Sequence, residues 1–384
     1  MRWTRVGALL AIAVVLAALA PRIRVGWVAA RLLHETARPP EPATLAAFRE
    51  APIVEVVEFA VGDTSGVADL YRPRARGPHP GILLVHGMVD VGRSDERLTR
   101  FADALARSGF VVMVPDLDGL RRFTVSLDDV TTIVAAFEHL EQTPGVRSDR
   151  VGMFGASYSG GLALLAACDP AIADRIRFCF VLGAYHDLRN VVAYITTGYY
   201  RDGGGWVYLE PENFGRWVFL LNGDDLVDEP ADRATLVRIA RAKLRDPDSD
   251  VSGEISRLGP EGRRVYDLIT ATDPEAALAM IAGLPSGVRE RLDALSPRGR
   301  LAGLRADLIL VHGRDDNMIP YPESRAIAAE AEPTSCVHLA LLDSFRHVDL
   351  EVSWSGGARE LPGAVAELAR LYAVALLVAA ETGP

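Results

Sequence analysis

The chain has 384 residues, 49% apolar and 24% charged, proportions that can bury a sizeable core and that exclude global disorder. A net charge of −10 and a pI near 5.4, with no block of Lys or Arg, set aside nucleic acid as a partner, because phosphate binding needs a basic surface. Cys168, Cys179 and Cys336 are widely separated and lack C-x-x-C spacing, so neither a disulfide framework nor a zinc site is expected.

The first element is "VGALLAIAVVLAALA", Val6 to Ala20, preceded by the basic "MRWTR". At ~1.5 Å per residue it reaches ~22 Å, short of the ~30 Å hydrocarbon core but suited to the apolar centre of a signal peptide. Ala18-Leu19-Ala20 offers a cleavage site, yet the bond runs into Pro21, and "IRVGWVAARLL" continues the apolar character. Residues 1–33 are therefore expected to be a membrane anchor or an export signal. The protein is then membrane-associated or exported. Arg2 and Arg5 on one side face Arg22, Arg24 and Arg31 on the other, so charge assigns no orientation. A helix packed on the protein's own surface is the alternative, disfavoured by the lack of a polar face. Residues 34–50, with the Pro-rich "HETARPPEPAT", read as a linker.

Strand and helix then alternate. "PIVEVVEFAV" and "GVADLYRP" alternate polar and apolar residues, whereas "GILLVHG" and "FVVMVPD" are the uniformly apolar runs of strands buried in a parallel sheet. Between the latter two, "SDERLTRFADALARSG" has helical spacing, with Ser94 as N-cap and Gly109 as the terminating glycine. The pattern runs on through a helix at "SLDDVTTIVAAFEHLEQ", a strand "RVGMFG", a helix "YSGGLALLAAC" and a strand "RFCFVLG". It stops over residues 185–300, which read as helical and, near their start, aromatic. It resumes with the strand "ADLILVHG", a helix at "PESRAIAAEA", a strand "VHLALL" and a closing helix from Leu361. The expectation is an α/β core in two parts, 51–184 and 301–384, around a helical cap insertion.

Acyl transfer needs a nucleophile lifted into a cleft, a base, an orienter for the base, and donors for the oxyanion. "GASYSGG", Gly155 to Gly161, follows a strand and opens a helix, the setting of a nucleophile elbow for Ser157. Ser159 stands where that pattern has glycine. A structural turn in a glycine-rich stretch is the competing reading. "LILVHGRDDNMIP" ends a strand with two acids, and "LLDSFRHVDL" places His347 after a further strand. Ser, then acid, then His is the chain order of one class of hydrolase. His86 and His312, in "HG" dipeptides at strand ends, read as turn-shaping residues and Asp116 as a loop stabiliser. Asp187, after the strand "RFCFVLG", is a second candidate orienter.

With these pieces in place, the sequence resembles the α/β-hydrolase family, in the branch near prolyl oligopeptidase-like and dienelactone hydrolase-like enzymes. "LYRPRARGPHPGILLVHG" follows the branch's approach to its third strand, and the resemblance spans about residues 54–380 except the insertion. It implies a mostly parallel sheet with helices on both faces, here with a helical cap and an N-terminal apolar helix. The family's D-x-x-[VI]-P matches Asp316 to Pro320, which makes Asp315 a solvated neighbour. Its H-x-D matches His347. Its oxyanion donors correspond to the backbone N–H groups of Met88 and Tyr158. No cofactor or metal is implied.

Eight of the chain's 27 aromatics lie between Tyr194 and Phe219, and Trp206 and Trp217 among them are candidates for an apolar roof over a substrate pocket; a packed cap core is the alternative. Three functions stay open: a serine esterase acting on a small acyl substrate, a prolyl oligopeptidase-like peptidase without the propeller, and a non-catalytic membrane-tethered binding module.

Overall fold

A computed structural model describes residues 25–30, 50–223, 225–343, 345–346, 349–350 and 361–383. The apolar run of residues 6–20 and residues 34–49 of the linker lie outside the described residues. Eight strands form one sheet: β1 (Ile53–Val61), β2 (Thr64–Arg72), β3 (His79–Val85), β4 (Val111–Pro115), β5 (Val146–Ala156), β6 (Phe178–Leu182), β9 (Asp307–Gly313) and β10 (Val337–Leu342). Their spatial order is β1-β2-β4-β3-β5-β6-β9-β10. β2 runs antiparallel to both of its neighbours, and from β4 to β10 every pair is parallel. That division follows the sequence. β1 and β2, at the end of the sheet, are exposed over much of their length, while β3, β4 and β9 are buried almost end to end because helices cover both faces.

On one face lie α1 (Glu96–Ser108) and the closing helix α11 (Leu361–Ala380), which share an apolar cluster with Ile82, Leu84, Val112 and Val114. Helices α2 (Leu127–Gln142), α3 (Tyr158–Ala167) and α10 (Pro322–Ala331) cover the other face, over Leu83, Met113 and Met153. Each fully buried Leu, Ile or Met adds about 1.5–3 kcal/mol. α1 begins one residue later than its sequence suggests. Asp95 is its N-cap, accepting from the N–H groups of Arg97 and Leu98, while Ser94 closes a 3-10 turn before it; Gly109, at φ 112°, ends the helix as expected.

Residues 25–30, the described part of the N-terminal apolar segment, are helical. Val28 and Ala29 are buried against Val374, Val378 and Ala379 of α11, and the Tyr372 hydroxyl donates to Gly26 O at 3.1 Å. This stretch is packed on the protein itself. No helix among the described residues is long and apolar enough to cross a membrane.

The insertion enters after β6 and returns before β9, which are neighbours in the sheet. It comprises α4 (Leu188–Thr197), a hairpin of β7 (Tyr199–Asp202) and β8 (Gly205–Tyr208), and helices α5 (Asn213–Leu221), α6 (Pro230–Arg245), α7 (Pro260–Ile269), α8 (Pro274–Ala282) and α9 (Ser286–Ala294). The hairpin is an addition to the mostly helical insertion that the sequence suggests. Its turn needs left-handed backbone at Gly203 (φ 57°) and Gly204 (φ 91°), and its arms are the β-favouring Tyr199, Tyr200, Trp206, Val207 and Tyr208. The cap's core is continuous with the α2–α3 side of the sheet.

Candidate active site

β5 ends at Ala156 and α3 starts at Tyr158, so Ser157 alone makes the turn, at φ 58° and ψ −131°. Left-handed backbone on a residue with a Cβ costs about 1–3 kcal/mol and persists only where the surroundings enforce it. Here they do. The Ser157 N–H donates to Leu182 O on β6 at 2.8 Å, and Ser157 O accepts from Gly160 N at 3.0 Å. A Cβ at Gly155 would lie 2.6 Å from Ser159 O, and one at Gly161 would lie 2.2 Å from the Tyr185 ring, so glycines are what let strand and helix close this tightly.

Ser159, the departure from the elbow pattern, is fully buried and ties the turn. Its hydroxyl accepts from Ala156 N at 3.0 Å and lies 2.7 Å from Ala156 O and 3.2 Å from Val85 O. A glycine could not make these bonds.

The oxyanion candidates lie at two element ends. Tyr158 is the first residue of α3, so its N–H is one of the donors a helix leaves without an internal acceptor. Met88 follows β3 in a loop that His86 holds. A carbonyl can only accept, so the 2.7 Å contact to Gly87 O puts the His86 proton on Nδ1, and Nε2 then accepts from Leu117 N at 2.9 Å. Burial lowers the His86 pKa further toward this neutral form. With both nitrogens engaged, His86 shapes the turn. Asp116 pairs with Arg121 at 3.1 Å and does the same for its own loop.

Asp316 sits in the turn after β9, fully buried, accepting from Met318 N at 2.9 Å and Ile319 N at 3.0 Å. Behind it, His312 Nε2 lies 2.8 Å from Ile319 O and 3.3 Å from Asp316 Oδ2, and Nδ1 lies 2.7 Å from Ser324 Oγ. Burial, with the nearby charge of Asp316 adding to it, pushes the Tyr158 hydroxyl up to about 12, which ties the start of α3 electrostatically to the Asp316 turn. Asp315 is exposed. Asp187 is occupied elsewhere: it caps α4 by accepting from Arg189 N at 2.9 Å and pairs with Arg298 at 2.8 Å. His347 lies outside the described residues. Its flanks, β11 (Phe345–Arg346) and β12 (Asp349–Leu350), pair antiparallel, and β11 lies beside β9.

The two tryptophans are not equivalent. Trp217 is buried in the cap's own core, its Nε1 donating to Asn213 at 3.1 Å. Trp206 sits on the hairpin, under the Arg201 guanidinium at 4.4 Å and bonded to Glu275 at 3.2 Å. The aromatics that reach the Asp316 turn are others: Tyr194 meets Tyr200 edge-on at 5.9 Å, and Tyr200 meets Tyr321 at 6.1 Å. Sequence reading also missed the carboxylates of α10. Glu323 accepts from His186 N and Asp187 N at 2.9 and 2.8 Å, and Glu330 accepts from Gly299 N and Leu301 N at 3.1 and 3.0 Å, so one helix holds both roots of the cap.

A parallel sheet with an antiparallel second strand, whose central strand delivers a serine on a strained turn into a helix, is the arrangement of the α/β-hydrolase fold, and this chain has that fold. Residues 65–255 match the model of the X-Pro dipeptidyl-peptidase (S15) family. A curated protein of Bradyrhizobium sp, a probable 2-oxo-3-(5-oxofuran-2-ylidene)propanoate lactonase, is 30% identical over 147 residues, which are 34% of this chain and 57% of the relative. The uncomplexed acylaminoacyl peptidase of Pyrococcus horikoshii shares the fold at a TM-score of 0.50 and 14% identity, over 87% of this chain and 42% of its own. The dienelactone hydrolase of Anabaena variabilis aligns at a TM-score of 0.42 and 17% identity, over 85% of this chain and 95% of its own. The chain thus spans little more than half of the curated relative and less than half of the peptidase.

Proposed function

We propose that the protein hydrolyses carboxylic esters, cyclic esters included, through an acyl-enzyme on Ser157. In this reading His347 takes the Ser157 proton as the hydroxyl attacks the ester carbonyl. Asp316 orients His347, and the Met88 and Tyr158 N–H groups receive the oxyanion. His347 then protonates the leaving alcohol, and water, activated by the same imidazole, releases the acid. The observation that carries the proposal is the strained backbone of Ser157 at the end of β5, a conformation a mere glycine-rich turn has no reason to impose on serine. The lactone in the Bradyrhizobium relative's name supports an ester over a peptide.

A peptidase is the second reading, favoured by the match of residues 65–255 to the X-Pro dipeptidyl-peptidase model. The test is labelling with a fluorophosphonate probe, followed by short esters against X-Pro anilides. Ser157→Ala should abolish labelling and lower ester turnover by several orders of magnitude with the fold intact. Asp316→Asn should cost at least ~10²-fold, and Asp187→Asn far less, because Asp187 already serves α4 and Arg298. Labelling that survives Ser157→Ala overturns the nucleophile, and turnover of anilides alone overturns the ester.

A further inference from the structure

Six buried side-chain atoms among the described residues have no hydrogen-bond partner. Four belong to residues held through their other atoms: Arg93 by Asp69, Asp116 by Arg121, Asp225 by Arg291 and Arg233 by Val227 O. The remaining two stand apart. Tyr194 is fully buried on α4 with a lone hydroxyl, and Arg216 on α5 buries its Nε and makes no hydrogen bond or ion pair among the described residues. A buried Nε–H and a buried phenol hydroxyl without acceptors carry a cost, and a ligand that supplies the acceptors removes it.

Their placement says where that ligand sits. Glu212, just before α5, donates its N–H to Asn317 O at 2.9 Å, and Asn317 Nδ2 lies 3.4 Å from its carboxylate, so the start of α5 is seated on the Asp316 turn. Arg216 is four residues on, hence on the same face as Glu212, and helical side chains lean toward the helix N-terminus, here toward that turn. Tyr194 reaches the same turn through Tyr200 and Tyr321. The electrostatics agree. Burial raises the Tyr194 hydroxyl, with Asp316, Tyr200, Glu210 and Tyr208 adding to the shift, and burial lowers Arg216 against the opposing pull of Glu210 and Tyr208. The two groups therefore share Glu210 and Tyr208 as neighbours, and the Glu210 carboxylate already takes the Tyr208 hydroxyl.

We propose that Arg216 and Tyr194 form a subsite for a carboxylate carried by the substrate, so that the enzyme prefers acyl compounds bearing a negative charge a few atoms from the scissile carbonyl. One planar guanidinium and one hydroxyl match the two oxygens of a carboxylate. A phosphate dianion would need a second cation, and Glu210 stands there instead. This names the substrate class of the esterase reading and rests on it.

The test compares 4-nitrophenyl hydrogen glutarate, which carries the carboxylate, with neutral 4-nitrophenyl butyrate. The wild type should favour the charged ester at least ~10-fold in kcat/KM. Arg216→Gln should lower that ratio ~10-fold or more, chiefly through KM, Tyr194→Phe ~3-fold, and Arg216→Lys should retain part of it. Because Arg216 makes no hydrogen bond or ion pair among the described residues, Arg216→Gln should melt no lower than wild type, whereas a structural arginine would leave a less stable variant. A wild-type ratio near one, or a ratio that Arg216→Gln leaves unchanged, overturns the subsite. Failure of the esterase reading is seen separately, as absence of fluorophosphonate labelling. Calorimetric binding of free glutarate then decides the subsite by itself: binding lost in Arg216→Gln sustains it, and absent or unaltered binding refutes it.

Discussion

Replacing Ser159 by glycine restores the usual elbow pattern, and the structure says it should damage the protein. The Ser159 hydroxyl is the acceptor for Ala156 N at 3.0 Å in a position without solvent access. A buried donor left unsatisfied costs about 1–3 kcal/mol. Glycine in place of a residue with a Cβ adds about 0.5–1 kcal/mol of chain entropy within a helix. The expected loss for Ser159→Gly is therefore about 2–4 kcal/mol, and Ser159→Ala should show the hydrogen-bond part alone. At about 2 °C per kcal/mol for a domain of this size, the melting temperature should fall by about 4–8 °C. The elbow's geometry should suffer too, because Ala156 and Val85, which the hydroxyl bridges, end the strands flanking Ser157. Fluorophosphonate labelling of Ser157 should slow roughly tenfold, since small misplacements of a nucleophile are expensive. Calorimetry and labelling kinetics on the two variants decide it. A Ser159→Gly protein that melts with the wild type and labels as fast would show that the hydroxyl ties nothing.

Ser159 also illustrates what the sequence carried and what it withheld. The buried strands β3, β4, β6 and β9 were legible because uniformly apolar runs between Gly and Pro have few other uses. The candidate nucleophile and the candidate acid could be singled out because each sits in a short local motif at a strand end. Ser94 and Asp95 are both good caps, and only the 3-10 turn at residues 92–94 assigns the role to Asp95. The glycines of residues 202–205 read as a flexible turn, and the four-residue arms of the β7–β8 hairpin on either side are too short to show a strand period. Trp217 could not be resolved at all, since an apolar residue on a cap helix serves a pocket or a core equally well, and which face meets which depends on α6. Glu323 and Glu330 look like solvated helix acids. Glu323 is buried and Glu330 partly so because residues 186–187 and 299–301, distant in the chain, bring backbone donors to them.

Two further predictions concern stability and placement. Asp129 accepts from Gly119 N and Leu120 N, yet burial raises its pKa from 3.8 to about 6. The folded protein therefore keeps a proton that the unfolded chain releases, and this contribution, about 2–3 kcal/mol, is present below pH 4 and lost as the pH rises through 6. Urea unfolding at pH 4.5 and 7 should show that fall, and Asp129→Asn should flatten it; an unchanged slope would place the titration elsewhere. The N-terminal segment divides at residue 25. Val28 and Ala29 fill the cluster on α11, and Gly26 O accepts from Tyr372, so a chain that starts at Val25 keeps these contacts while one that starts at Pro40 loses them. Burial of one valine side chain is worth about 1.5–3 kcal/mol and the hydrogen bond about 1 kcal/mol, so the shorter chain should be weaker by about 3 kcal/mol. Equal urea midpoints for the two chains would mean that residues 25–30 do not seat on α11 in solution. If residues 1–24 contain an anchor, the full chain should sediment with membranes and the chain from Val25 should stay in the supernatant with the proposed esterase activity. Identical partition of the two would remove the anchor while leaving the packing of residues 25–30 intact, because the two claims rest on different stretches of the same segment.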